Sequence, residues 1–220
     1  MPVVTISRQY ASGVAEIAPR VAEILDADLI DRQLIDEVGQ RLGLPPDIVS
    51  EHDERGETPI ARLVNALRVS YPDASSLPDL IEPPGSVPDL SNRAYVQVVE
   101  QIIQEAARGD NVVIVGRGSA FVLRNHPRAM HVHVFAPFDV RVENVMAEQK
   151  VTRQNAERIV RDFDGARARY ARHFYHTDWQ SPQHYHLLVN AGSIARDQVA
   201  DLIVAAARML YASTGPYGQE

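Results

Sequence analysis

Residues 3–18 read VVTISRQYASGVAEIA, a segment in which three kinds of local pattern follow one another. The β-branched run 3–6 predicts a short buried strand, and the polar run 7–13, which ends in a glycine, predicts a loop. From Val14 to Leu25, apolar residues recur at helical spacing, which predicts an amphipathic helix. A strand that leads through a short loop into a helix is the opening unit of an α/β sheet.

The same alternation continues along the chain. Strands are predicted at 29–30, 112–115, 130–136 and 187–189. Helices are predicted at 32–42, 58–69, 91–108, 119–124, 138–149, 152–175 (with a break near Gly165 left open) and from a Ser193 cap to 212. Strands and helices in this order predict an α/β fold with a mostly parallel sheet and helices on both faces. In such folds ligands bind beyond the carboxyl ends of the strands.

Composition narrows the class of protein. The chain has 220 residues, 45% of them hydrophobic and 23% charged, which fits a single globular domain over 1–220 and excludes general disorder. There are no cysteines, so disulfides and thiolate metal sites are excluded. No long apolar run or basic leader is present, so we expect a cytoplasmic protein with no membrane partner. Five prolines between 71 and 90 indicate an ordered loop or flap within an insertion around 45–94, where a homodimer contact is expected.

Charge is unevenly distributed. The net charge of −7 argues against a nucleic acid polymer as the ligand. Residues 150–173, however, carry seven Lys and Arg against three Asp and Glu. One basic segment on an acidic protein predicts a small anionic ligand.

The first loop joins a strand to a helix N-terminus, where backbone N–H groups and the helix dipole favour a phosphate. The standard pattern G-x-x-x-x-G-K-[ST] is absent, so an ordinary turn is the alternative. Glu16 follows the loop and has two interpretations: a Mg²⁺ ligand, or an acid favoured by the helix dipole.

Other strand ends carry further candidates. Arg117, between Gly116 and Gly118, either reaches a substrate phosphate or is exposed in a tight turn. Asp31, followed by Arg32, either binds magnesium-bound water or a substrate hydroxyl, or caps the next helix.

The arginine-rich stretch 152–175 also has two interpretations. Arg158, Arg161 and Arg169 can share a helix face and bind phosphate bidentately. Alternatively, the helix is solvated and linked by Glu157–Arg161 and Arg158–Asp162 pairs. Histidines 173, 176, 184 and 186 lie close in sequence, but without a ligand-spaced motif we expect polar positions and no metal site.

Six ordered segments resemble the cytidylate kinase-like family of P-loop proteins. They are VTISRQYASGVAEIA (4–18), LIDRQLI (29–35), VIVGRG (113–118), VHVFAP (132–137), RDFDGARARY (161–170) and the pair DW (178–179) with HLLVNAG (186–192). The resemblance covers most of the chain except about 45–94. It implies a P-loop NTPase-like three-layer sandwich, with residues 152–175 as the lid. It also implies a nucleoside monophosphate kinase-like phosphotransferase that uses ATP and Mg²⁺ and acts on a small-molecule nucleotide or related phosphorylated acceptor.

The resemblance also implies roles for residues. Ser12 and Gly13 would line the phosphate loop, Asn190 and Gly192 would lie near the nucleobase, Asp31 and Arg32 would contact the substrate, Glu16 would contact the metal, and Arg8, Arg117, Arg161 and Arg169 would neutralise phosphate charge.

The loop departs from the family pattern. Where that pattern has G-S-G-G-[RK]-E, this chain has ASGVAE, so two glycines and the cation are replaced by Ala11, Val14 and Ala15. Arg8, on the same loop, has two interpretations: it turns inward and supplies the missing charge, or it points to solvent or pairs with Glu16 or Asp31. The alternative is a catalytically weakened nucleotide-binding or regulatory protein on the same fold; a scaffold without a ligand is a weaker third hypothesis.

Overall fold

The computed structural model describes residues 2–31, 93–109 and 111–213. The elements, in chain order, are β1 (Val3–Arg8), α1 (Val14–Leu25), β2 (Asp28–Ile30), α2 (Arg93–Arg108), β3 (Val112–Val115), α3 (Ser119–Val122), β4 (Ala129–Phe135), α4 (Phe138–Gln149), α5 (Arg153–Tyr175), a 3₁₀ turn (Pro182–His184), β5 (Leu187–Asn190) and α6 (Arg196–Ser213).

The five strands form one sheet in the order β2-β3-β1-β4-β5. β1 lies at its centre and pairs in parallel with β3 and β4, so that Thr5 is level with Ile114 on one side and His131 on the other. β4 pairs in parallel with β5. The predicted α/β class is confirmed. Because β1 is central, the loop that follows it lies between the ends of neighbouring strands, where such folds bind ligands.

The two faces of the sheet differ in polarity. Val4 and Ile6 of β1 point to one face and are fully buried with Ile17 and Val21 of α1 and Ile203 of α6. Thr5 and the β4 histidines point to the other face, which α3 approaches and which also carries the fully buried Val3 and Ile114. Alternation along β1 therefore places an apolar core on one side and a layer of mixed polar and apolar residues on the other.

Two helices differ from the sequence prediction. α5 runs unbroken from Arg153 to Tyr175, because one helical glycine costs only about 1 kcal/mol and residues beside Gly165 are held by packing. α6 begins at Arg196 and not after Ser193. After β5 the chain first forms a turn, in which the Gly192 N–H donates to Asn190 Oδ1 (3.0 Å). The first turn of α6 follows, where Ala195 O accepts from Val199 N (3.0 Å).

The chain divides into two compact units, residues 1–29 with 111–220, and residues 30–110. In the second unit α2 is amphipathic and buries Val99 and Ile103. The predicted helices 32–42 and 58–69 and the proline-rich run 71–90 lie outside the described residues, as does nearly all of the insertion around 45–94. The single-domain organisation and the dimer contact therefore stay predictions. No helix within the described ranges is long and apolar enough to cross a membrane.

Candidate functional site

The loop between β1 and α1 has a glycine-like backbone even where glycine is missing. Ala11 has φ 57° and Gly13 has φ 87°, both in the left-handed region. Gly13 O accepts from Glu16 N (3.1 Å) and Ile17 N (3.2 Å), which begins α1. Within the described part of the chain, the N–H groups of Gly13, Val14 and Ala15 have no hydrogen-bond acceptor. This is the arrangement that accepts an anion at a helix N-terminus.

A largely buried carboxylate, that of Asp164, connects α5 to this loop. Asp164 accepts from the Tyr10 N–H (2.8 Å), from Arg141 Nη1 (2.5 Å) and from Arg167 Nη1 (3.2 Å). The Arg141 side chain is 7% exposed and that of Asp164 17%. Burial lowers the pKa of the Arg167 guanidinium, and the Asp164 carboxylate opposes that shift. We call Tyr10, Arg141, Asp164 and Arg167 the Asp164 clasp.

Other contacts fix the loop beyond the clasp. Arg141 Nε donates to Ala136 O (3.0 Å), and Asn144 Nδ2 donates to Ala11 O (2.9 Å). The Ser12 hydroxyl donates to Gln9 O (2.9 Å), and the Tyr10 ring stacks on Phe163 at 4.2 Å between centroids. The left-handed Ala11 is thus held by α4 and α5, which offset its conformational cost.

An arginine from α6 lies across the loop. An ideal Cβ on Gly13 would lie 3.0 Å from Nε and 3.4 Å from Cδ of Arg196, so this side chain passes directly over the glycine. Its Nη1 forms an ion pair with Glu16. The predicted metal residue therefore has a cation as its partner. The described ranges contain no group of three His, Cys, Asp or Glu that could hold a metal ion.

The Arg8 guanidinium lies at the end of the neighbouring strand. A Cβ on Gly116 would overlap it, so Arg8 contacts the turn after β3. Gly116, Arg117 and Gly118 all have positive φ, at 78°, 53° and 74°. The Tyr175 ring lies against Gly118. The side chain nearest to Gly13 is therefore Arg196 and not Arg8.

The outer arginines of α5 form the helical pairs predicted by the solvated-helix interpretation. Arg158 lies 3.8 Å from Asp162, and Arg161 lies 3.2 Å from Glu157. The Arg161 guanidinium also sits 4.8 Å from the centroid of the Phe138 ring. Arg169 is exposed, and its Nη1 would lie 3.3 Å from a Cβ on Gly165. Their roles toward a nucleotide stay predictions.

The remaining predicted site residues lie in other segments of the chain than the β1–α1 loop. Asn190 and Gly192 form the turn after β5, and a Cβ on Gly192 would overlap the Pro137 ring. Asp31 follows β2 and belongs to the unit 30–110. Arg32 lies outside the described residues.

Histidines cluster elsewhere in the first unit. His131, His176, His184 and His186 line a cavity of about 350 Å³ together with Phe121 and Tyr175. Burial, followed by the nearby His186, lowers the pKa of His131 to about 4, and its Nδ1 lies 2.8 Å from Thr5 Oγ1. Burial also lowers the pKa of His133 to about 4. The imidazoles of His131 and His133 are therefore neutral, buried groups at neutral pH.

Sequence reasoning missed the residues that hold and cover the loop. Asp164 and Arg167 were part of the arginine-rich stretch, but their partner Tyr10 lies more than 150 residues away. Arg196 carried no motif. The one available signal was an acidic residue within a basic stretch, because a buried arginine needs a carboxylate partner, and Asp164 is such a residue.

A central parallel strand that ends in an anion-accepting loop, in a sheet of order 2-3-1-4-5, defines the class of P-loop kinase-like α/β proteins. The model of the "Cytidylate kinase-like family" matches residues 3–193, and the chain belongs to this family.

Solved structures show the same fold. An uncharacterized protein from Eubacterium ventriosum is 17% identical with a TM-score of 0.66, and the match covers 94% of this chain and 99% of that one. The shikimate kinase from Bacteroides thetaiotaomicron is 13% identical with a TM-score of 0.50, over 96% and 98%. A curated uronate isomerase from Corynebacterium glutamicum is 31% identical over 98 residues. That match covers 44% of this chain and only 19% of the isomerase's length.

Proposed function

We propose that this protein is a nucleoside monophosphate kinase-like phosphotransferase that moves the γ-phosphoryl group of ATP to a small phosphorylated acceptor. The observation that carries the proposal is the β1–α1 loop, whose left-handed Ala11 and Gly13 open the N–H groups of 13–15 at a helix N-terminus. Membership of the cytidylate kinase-like family supports a nucleotide as the ligand. The proposal includes a cytoplasmic location, where ATP and Mg²⁺ are available.

In the proposed reaction an acceptor phosphate oxygen attacks the γ-phosphorus, the bond from that phosphorus to the β–γ bridging oxygen breaks, and ADP leaves. Catalysis of this step is mainly positioning and charge neutralisation. Ser12 and Gly13 hold the phosphates through backbone N–H groups. Arg117 and Arg8 sit at the adjoining strand end, on the side from which an acceptor phosphate approaches.

Further contacts belong to the same proposal. Arg161 and Arg169 of α5 turn from their helix surface toward the triphosphate when it binds. Asn190 and Gly192 border the nucleobase, and Asp31 with Arg32 contacts the acceptor.

Mg²⁺ needs few protein ligands, since in phosphoryl transfer it is bound largely by phosphate oxygens and water. Glu16, which is paired with Arg196, would be the residue of α1 that holds the ion. Mg²⁺ would supply neutralisation of phosphate charge.

The direct experiment measures ADP formation from ATP and Mg²⁺ across a panel of nucleoside and other small monophosphates. Turnover with one acceptor well above ATP hydrolysis without it is the expected result. ATP binding by calorimetry without turnover for any acceptor would contradict the phosphotransferase proposal.

A second candidate is a nucleotide-binding regulator on the same fold. Ala15, which stands where the family pattern has Arg or Lys, favours it, because loss of that charge removes part of the stabilisation of the transition state. ATP binding without turnover is its expected signature.

A further inference from the structure

The loop between β1 and α1 has no basic residue at position 15, but the side chain of Arg196 brings a positive charge to it from α6. Position 15 is an exposed alanine in the first turn of α1. Arg196 lies 181 positions later and is the first residue of α6. Its side chain crosses Gly13, with Nε 3.0 Å from the position that a Cβ would take. The same guanidinium reaches Glu16, the residue next to Ala15.

We propose that Arg196 supplies the phosphate-facing cation that position 15 lacks; this rests on the proposed function of the loop as an ATP site. Arginine is always charged, and its planar fork binds two phosphate oxygens at once. Arg196 Nε lies 3.0 Å from the position that a Cβ on Gly13 would take, and the N–H groups of Gly13 and Val14 are open. The charge therefore stands at the residue on which the proposed phosphate is seated.

Two features of the chain make this placement specific. Gly13 has no Cβ, and the space left is what the Arg196 side chain crosses. Arg8, the arginine that the sequence suggested for this role, contacts Gly116 at the end of β3. Arg141 and Arg167 are paired with Asp164 in the clasp.

Glu16 acts as a positioning residue for Arg196. Its carboxylate keeps the guanidinium over the loop, and both side chains are partly exposed, at 64% for Glu16 and 40% for Arg196. A bound triphosphate takes over the guanidinium, since a phosphate bears more charge than one carboxylate. Glu16 would then be free to hold Mg²⁺.

The test compares ATP and adenosine binding by calorimetry in the wild type, R196Q, A15K/R196Q and the control R208Q. Arg208 is also exposed on α6, where it donates to Ile24 O (3.4 Å), far along the helix from the loop. We expect R196Q to weaken ATP binding roughly 10- to 100-fold, to leave adenosine binding unchanged, and to lower the salt dependence of ATP binding. A15K in the R196Q background restores ATP affinity, and R208Q behaves as the wild type.

The outcomes separate the two claims. If the wild type binds ATP and R196Q binds it equally well, the inference is wrong while the proposed function stands. If R196Q weakens ATP and adenosine equally, or A15K fails to rescue a folded R196Q, Arg196 is structural and the inference is also wrong. Absence of ATP binding by the wild type overturns both. Thermal melting of each variant shows that the fold is retained.

Discussion

The outer side of α5 and its loop-facing side carry the same residue types in opposite environments. On the outer side, Arg158 and Asp162 lie 3.8 Å apart with side chains 70% and 67% exposed. On the loop-facing side, Asp164 meets Arg141 at 2.5 Å with side chains 17% and 7% exposed. Exposed pairs contribute about 0–1 kcal/mol, whereas removing one member of a buried pair costs about 3–5 kcal/mol.

This difference in exposure shows which side of α5 is attached to the rest of the protein. Asp162 and Asp164 lie only two residues apart and differ in environment. Asp162 faces water, whereas Asp164 accepts hydrogen bonds from the loop (Tyr10 N–H), from α4 (Arg141) and from α5 itself (Arg167). α5 is thus anchored through its loop-facing side, and its outer arginines remain at the surface.

The largest expected effect is that of D164A. This change removes the acceptor of Tyr10 N–H and leaves the buried Arg141 guanidinium without its carboxylate, so the free energy of unfolding falls by about 3–5 kcal/mol. D162A, two residues away, changes it by less than about 0.5 kcal/mol. Urea unfolding of both variants measures the contrast. Equal losses would show that the two sides of α5 do not differ.

A second effect concerns pH on the buried side. The pKa of His133 is lowered to about 4 by burial, with Asp164 raising it and Arg167 lowering it. Because the folded value is below the unfolded value of about 6.5, stability is fully present above pH 6.5 and falls as the pH drops toward 4, by about 3 kcal/mol for each such histidine.

H133Q removes this contribution, so the fall in the free energy of unfolding between pH 6.5 and 4 becomes shallower than in the wild type. Urea unfolding at a series of pH values measures it, and identical slopes for H133Q and wild type would contradict the assignment.

Much of the fold followed from local patterns. The apolar spacing of α1, the four aliphatic residues of β3 and the alternation of strands and helices each depend on neighbours in sequence. The possible break at Gly165 was decided by a contact made across the fold, the Tyr10–Phe163 stack, which local propensity does not contain. The Ser193 cap was replaced by a local Asn190–Gly192 turn after β5, which moves the start of α6 to Arg196.

The site was less predictable. Loop position and helix N-terminus could be inferred from strand–loop–helix order, but the partner of each charge could not. Nothing in the sequence distinguishes Asp164 from Asp162, or directs Arg196 to Gly13 in preference to Arg8. Such pairings depend on where β1, α5 and α6 meet, which the linear charge pattern does not encode.

A third and smaller effect is expected at Ala11, whose left-handed backbone is held in place by α4 and α5. Ala11 has φ 57°, where a Cβ costs about 1–2 kcal/mol that glycine does not pay. A11G therefore raises the free energy of unfolding by about 1 kcal/mol, after the added entropy of glycine in the unfolded chain. A15G, in the helical first turn of α1, lowers it instead. Urea unfolding checks both, and a destabilised A11G would show that Ala11 is unstrained.

The smallest effects on stability are expected for the outer arginines of α5, which the proposed function also assigns to ATP binding. R161A and R169A change the free energy of unfolding by less than about 0.5 kcal/mol, because both residues are exposed and Arg161 loses only its pair with Glu157 and its contact with Phe138. If the same guanidinium groups close on a triphosphate in a desolvated site, each variant weakens ATP binding by about 1–3 kcal/mol. R172A, another exposed arginine of α5, serves as the control. Calorimetric ATP binding equal to that of R172A would assign the outer side of α5 to solvent alone, while a loss of affinity without a loss of stability is the signature of surface charges kept for a ligand.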